Sequence, residues 1–314
     1  MESLNSKACK DKRLQKNKFL QEITDYRNDL FKYCRKLTNN PWDAEDLVQE
    51  TLVQAYGKLA DKHSGINNIK AYLFRMATNQ WIDWCRRSKV QFNSELLPDE
   101  PYVMGNFYEI KDAIDSMIYF LAPKERVAFV LSEAFESKNE EIAEILGTTE
   151  GAVKSALNRS RVKLKSLSNT KFDHVPRRTS NQEKIVNMAV DAFNRRDLDS
   201  FSKLFVSNAI GNAPGCFFET NLEEIKNGSL FYTINTPDGT PQSSAMKAEK
   251  VVLNGDVLFV IFHEEIVDDV WKFTIEDDSI ERFDCYYCCP EVLSEIATLI
   301  GKKVNSHGYY YEQG

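Results

Sequence analysis

The sequence has no long apolar run. Its longest are Met117–Ala122 and Val257–Phe262, far short of the ~20 residues a membrane span needs. The opening segment MESLNSKACKDKRLQKNK has no apolar core behind its basic residues, so it does not read as a signal peptide. Internal repeats and low-complexity tracts are also missing. Cysteines are not evenly paired: seven are scattered as Cys9, Cys34, Cys85 and Cys216, with a cluster at Cys285, Cys288 and Cys289. An odd count in a long chain without an export signal reads as reduced intracellular thiols. These absences exclude a membrane-spanning protein and a secreted disulfide scaffold, and they predict a cytoplasmic protein that engages no membrane.

What is present is a globular balance, 42% hydrophobic and 28% charged over 314 residues, enough for two domains or three small ones. The net charge of −7 hides an asymmetry. Residues 1–180 carry 29 Lys and Arg against 25 Asp and Glu, whereas residues 181–314 carry 11 against 22. A basic front and an acidic rear suggest a nucleic-acid-facing part joined to a module of another kind.

The front is helical by period. Phe19, Ile23, Tyr26, Leu30, Tyr33 and Leu37 share one helix face, and Asn40-Pro41 ends that helix. Asp43 is placed to cap the next one, with Glu45 and Asp46 in its first turn, where the helix dipole favours anions. A third helix carries Leu73, Met76, Ala77, Trp81, Trp84 and Cys85. Periodicity then fails, and Pro98, Pro101 and Gly105 mark a linker. Helices resume near Asp112, with Pro123 suited to a first helical position. A short helix at Glu140–Leu146 stops at Gly147, and a longer one follows with Val153, Leu157 and Leu164 on its apolar side. A second linker holds Pro176-Arg177-Arg178. The rear opens with two amphipathic helices and turns into a strand meander: a hairpin through Asn254-Gly255, the alternating Trp271–Ile275, and Ile280–Cys288 after Asp277-Asp278. Helices followed by antiparallel strands form an α+β pattern.

Two short helices joined by a Gly-containing turn at Gly147 form a helix-turn-helix pattern. Its second helix carries Lys154, Asn158, Arg159, Arg161, Lys163 and Lys165, suited to a major groove and its phosphates. The other reading is a solvated basic face. A second signal is the acidic run Asp43–Thr51 followed by the aromatic, Arg-bearing helix Ala71–Arg87. Exposed aromatics beside Arg suit unstacked bases, although at least one of Trp81 and Trp84 is expected in the core.

The runs DAEDLVQET, YLFRMATNQWIDWCRR and LAPKERVAFVLSEAF…NEEIAEILGTTEGAVKSALNRSRVKLK resemble the second and fourth conserved regions of bacterial sigma factors, and more narrowly those of the extracytoplasmic-function class. The resemblance covers roughly residues 19–168. It implies that Asp43, Glu45, Asp46, Leu47, Gln49 and Glu50 dock on the clamp of core RNA polymerase. It assigns Asn79, Trp81, Asp83, Trp84, Arg86 and Arg87 to melting and reading the minus-ten element of promoter DNA. Thr149, Lys154, Ser155, Asn158, Arg159 and Arg161 fall on the helix that reads the minus-thirty-five element. One departure is Ala156, where many relatives have Arg, so a base or phosphate contact is expected to be missing. The two DNA-reading regions would act as linked modules held by the polymerase.

The rear segment resembles SnoaL-like, nuclear-transport-factor-like cone domains through QEKIVNMAVDAFNRRDLDSFSKLF and the strand meander. Such a cone implies a pocket that could hold a small ligand and a role in tuning sigma activity, with the acidic module able to cover the basic DNA face. The implied organisation is multidomain: region two at 1–89, a linker at 90–111, the helix-turn-helix region four at 112–168, a linker at 169–180, and an α+β cone at 181–314. No cofactor, metal or enzymatic chemistry is expected. His263 with Asp268, Asp269 or Asp284 is the one candidate acid–base pair. On a continuous strand Cys285 and Cys289 face one side and Cys288 the other, so three ligands would not converge. The competing function is a ligand-responsive helix-turn-helix regulator that does not bind polymerase, which would have no use for DAEDLVQET.

Overall fold

The structure is a computed structural model that describes residues 25–61, 68–87, 120–167, 180–236, 238–253, 255–305 and 308. The chain divides into two compact units, and their described parts run from residue 25 to 167 and from residue 180 onward.

The front unit is all helix: α1 (residues 25–38), α2 (Pro41–Asp61), α3 (Ile69–Arg87), α4 (Pro123–Ala134), α5 (Asn139–Leu146) and α6 (Glu150–Leu167). The cap of α2 is Asn40, not Asp43: its Oδ1 accepts from the backbone N–H of Trp42 at 2.8 Å, and Pro41 takes the first helical position, where a missing N–H costs nothing. Leu30, Tyr33, Leu37, Leu73, Phe74, Ala77, Val127 and Leu131 are buried together with Ile142 and Val153. Tyr33 stacks on Phe74 with centroids 4.5 Å apart, and Phe135 meets both rings edge-on. Helices α4 and α5 therefore pack on α3 within one unit.

The rear unit opens with α7 (Ser180–Asn194) and α8 (Leu198–Ser202), then β1 (Phe205–Ala213), β2 (Phe217–Glu219), α9 (Leu222–Asn227) and α10 (Ser229–Ile234). It continues through β3 (Met246–Leu253), β4 (Asp256–His263), β5 (Ile266–Glu276), β6 (Ser279–Cys285), α11 (Pro290–Leu299) and β7 (Lys303–Val304). Register pairs Leu253 with Asp256 and Glu276 with Ser279 across two-residue turns, as the hairpin signals require. The sheet is mixed, in the order β2-β1-β6-β5-β4-β3, because β1 runs parallel to β6 and β7 parallel to β5. The meander is thus its centre and not the whole. Gly211 is obligatory where β1 passes Phe283, since a Cβ there would lie 2.6 Å from the ring.

One face of the sheet, with α7 to α10, buries a core of aromatic rings: Phe193, Phe201, Phe205, Phe259, Trp271, Phe273 and Phe283. They touch in series, Trp271 stacking on Phe283 at 4.7 Å. Helix α11 buries Val292, Leu293 and Ile296 outside that core and packs on β5 and β7. Strand β4 is accordingly buried on both sides, with only its last residue, His263, exposed.

Candidate nucleic-acid interface

Helices α2 and α3 present two chemically different edges beside one cleft of about 120 Å³. Asp43, Asp46 and Glu50 line it from α2, and Gln80, Trp84 and Arg87 from α3. A spacing of three and four residues puts the three carboxylates on one helix face. Asp46 and Glu50 are exposed, while Asp43 and Gln49 are half-buried. The Thr51 hydroxyl ties the edges together, 2.7 Å from both the Leu47 carbonyl and Gln80 Oε1. On α3, Asn79, Asp83, Arg86 and Arg87 are exposed, and Trp84 keeps 43% of its surface in solvent. Arg86 is held by Asp83 at 2.9 Å, which aims its guanidinium along the outer face of the helix.

Three residues expected on these surfaces are buried, although two of them, Leu47 and Trp81, still line the cleft. Glu45 is fully buried, paired with the guanidinium of Arg27, and its Oε1 also accepts from Gln49 at 2.7 Å. It anchors α2 to α1 and is not available to a partner. Leu47 is 7% exposed and packs inward. Trp81 is 2% exposed, its ring covered by the Arg126 guanidinium at 5.2 Å, a cation–π contact strengthened by desolvation. Of the two tryptophans, Trp84 alone faces out.

In the helix-turn-helix, Gly147 closes α5 in the left-handed conformation at φ 60°, a geometry that favours glycine. The Thr149 hydroxyl then caps α6, accepting from Ala152 N–H at 3.2 Å. Thr149, Lys154, Ser155, Asn158, Arg159 and Arg161 are all exposed. Glu125 takes Arg159 at 2.6 Å and Glu133 takes Arg161 at 2.8 Å, so both arginines also lash α6 to α4. Ala156 is 6% exposed. It faces the packing side, where its small size serves the core, so it does not read as a lost contact on the DNA-facing surface.

No motif in the sequence gives Arg126 a role. It sits beside Val127 and four residues before Val130, on the apolar stripe of α4, and a lone Arg on such a stripe signals a buried partner. Besides covering Trp81, it donates to the Leu37 carbonyl at 2.9 Å. Cys85, close by, has its thiol pushed up to about 11 by burial, with Arg126 opposing.

The rear unit does not assemble the acid–base pair. Asp284 is gripped by Arg282 at 2.6 Å and Asn212 at 2.8 Å, Asp268 accepts from Asn305 at 3.0 Å, and His263 is exposed at the end of β4. Asp269 is buried and accepts from Trp271 Nε1 at 2.5 Å and from the Cys285 thiol at 3.1 Å. Burial raises its carboxyl to about 7, against those hydrogen bonds. A folded-state value above the unfolded one means the native state holds the proton longer. The resulting stability is fully present below about pH 4 and lost as pH rises towards 7. Asp269→Asn is expected to flatten that part of the stability–pH curve, measured by urea unfolding from pH 4 to 8; an unchanged slope would assign the titration elsewhere. Strand β6 ends at Cys285, and Cys288 and Cys289 lie in the turn that follows, so the alternating-face argument does not apply to them. Among the described residues there is no disulfide and no group of three or more His, Cys, Asp or Glu that could hold a metal ion. Nor is any described helix long and apolar enough to cross a membrane.

Family models for Sigma-70 region 2 and Sigma-70, region 4 match residues 23–90 and 111–164. The chain is similar to the ECF RNA polymerase sigma factor SigG of Mycobacterium tuberculosis, 26% identical over 62% of this chain and 61% of that protein. It therefore spans a little under two thirds of that relative. It is also 30% identical to the ECF RNA polymerase sigma factor SigM of Bacillus subtilis, over 46% of this chain and 91% of that one. Among solved structures, a putative polyketide cyclase from Sinorhizobium meliloti is similar, at 20% identity over 33% of this chain and 97% of that chain, with a TM-score of 0.25. With both region models in order on the helices that carry the exposed carboxylates, Trp84 and the helix-turn-helix, the chain belongs to the ECF family of RNA polymerase sigma factors.

Proposed function

We propose that this chain binds core RNA polymerase and directs initiation at specific promoters, working in the cytoplasm as a non-enzymatic regulator. The observation that carries the reading is the split between the edges of the α2–α3 cleft. Asp46 and Glu50, with Asp43, offer anions to a polymerase clamp, and Gln49 beside them adds a neutral amide. Trp84, with Asn79, Arg86 and Arg87, offers a stacking plane and cations to an opened strand. Unstacking a base costs a few kcal/mol, which capture on an aromatic surface offsets. Helix α6 supplies the duplex contact through Lys154, Ser155 and Asn158, with Thr149, Arg159 and Arg161 at its flanks. Transcription in vitro with purified core polymerase and genomic templates tests this: initiation at discrete sites that depend on the chain supports it, and initiation indifferent to the chain overturns it.

The roles on α6 separate by chemistry. Lys154→Ala removes a phosphate contact and is expected to weaken binding of the polymerase complex uniformly across promoters, lowering the salt slope by about 1. Asn158→Ala removes a side chain able to pair with a base edge, and it is expected to cost about 1–3 kcal/mol at one promoter position while leaving others alone. Footprinting at several salt concentrations distinguishes the two patterns.

The rear unit, SnoaL-like in our reading, regulates the front one. Its acidic excess over residues 181–314, 22 acidic against 11 basic residues, is the feature that supports this, through competition with DNA for the basic front. Deleting it should change promoter output, and unchanged output would remove it from the mechanism.

A further inference from the structure

Strands β1 and β6 are parallel neighbours, and Asn212 stands opposite Asp284 in their register. Four residues beyond each of these come Cys216 and Cys288, so the pairing carries both cysteines to the same end of the sheet. Each sits in the turn that leaves its strand. Cys216 N–H bonds back to the Ala213 carbonyl at 2.9 Å, after Gly215 at φ 74°. On the other side Cys289 N–H bonds to the Tyr286 carbonyl at 2.9 Å, holding Cys288 in the loop between. Adjacent strands lie about 4.8 Å apart, within the Cα separation that a disulfide spans, and each thiol lies near enough to shift the titration of the other. Cys216 is partly exposed while Cys288 is 4% exposed.

We propose that Cys216 and Cys288 form a reversible dithiol–disulfide site, oxidised by a hydroperoxide. Cys216, the accessible partner, attacks the peroxide oxygen; the O–O bond breaks, an alcohol or water leaves with the displaced oxygen, and Cys216 becomes a sulfenic acid. The Cys288 sulfur then attacks the Cys216 sulfur, the S–O bond breaks, and the hydroxyl departs as water with the Cys288 proton. Two thiols lose two electrons and one hydroperoxide gains them. The surroundings hold both sulfurs as neutral thiols at rest. Burial lifts Cys216 above the ordinary thiol range and Cys288 to about 12, and Asp269 adds to both. A disulfide carries no charge into that site. The same high values make the reaction slow at neutral pH and about tenfold faster per pH unit, following the thiolate fraction.

The test oxidises the full-length chain with excess hydrogen peroxide, blocks remaining thiols with N-ethylmaleimide and maps the peptides by mass spectrometry. The expected product has lost two hydrogen atoms and joins the Cys216 peptide to the Cys288 peptide, and dithiothreitol reverses it. Cys216→Ser and Cys288→Ser each abolish the link, whereas Cys285→Ser and Cys289→Ser keep it; circular dichroism first confirms that every variant is folded. In Cys288→Ser the oxidation stops at a sulfenic acid on Cys216 that dimedone traps. A link that persists without Cys216, one confined to Cys285, Cys288 and Cys289, or no oxidation at all would overturn the proposal. The readout is covalent and needs no polymerase, so its failure leaves the sigma-factor reading untouched.

Discussion

Asp46→Lys combined with Glu50→Lys is expected to lower the affinity for core polymerase at least about 100-fold, or about 3 kcal/mol. Both side chains are exposed on one face of α2, so the exchange puts two cations where the proposed docking face offers two anions. Stability should move by no more than about 0.5 kcal/mol, because neither side chain contributes to the packed core. Reversing Glu45 is a different experiment. That carboxylate is paired with Arg27 in a fully buried site, and removing one partner of such a pair costs about 3–5 kcal/mol. A binding loss in the surface double variant with an unchanged unfolding midpoint, beside an unfolded Glu45→Lys, would separate docking from folding. Equal affinity for the double variant and the native chain would take α2 out of the interface.

The two tryptophans of α3 should fail in opposite ways. Trp81→Ala empties a site sealed by Arg126, and it is expected to destabilise the front unit by about 3–5 kcal/mol. Promoter opening should then fall only in proportion to the folded fraction. Trp84→Ala removes a ring that already keeps 43% of its surface in water, so the fold should tolerate it. Open-complex formation, followed by permanganate reactivity of unpaired thymines, should drop about tenfold or more, the loss of one stacked base at about 1–3 kcal/mol. Trp84→Phe should recover part of the loss. If Trp84→Ala opened promoters at the native rate, the strand-capturing role would pass to another side chain.

Much of this was legible in the sequence because it is local. The stripe Leu30, Tyr33 and Leu37, the left-handed stop at Gly147 and the two-residue hairpin turns are dictated by period and by backbone angles that few residues adopt. The cap of α2 falls three residues before Asp43 because two residues near the helix start could serve, and Pro41 decides for Asn40 by filling the first helical position. What stayed hidden depends on distant partners. Glu45 reads as one more surface acid until Arg27 arrives from α1, and Trp81 reads like Trp84 until Arg126 arrives from α4. The parallel pairing of β1 with β6 joins segments some 70 residues apart, and no alternation pattern announces it. The Cys285–Cys289 cluster departs from strand alternation for a simpler reason: the strand ends at its first member.

The division of the α2–α3 cleft into a polymerase-facing edge and a strand-facing edge is tested most directly by photo-crosslinking in an initiating complex. A photoreactive amino acid placed at position 46 should label a polymerase subunit, and one at position 84 should label the opened promoter strand near its minus-ten element. Both positions labelling the same partner, or position 84 labelling protein alone, would contradict the account.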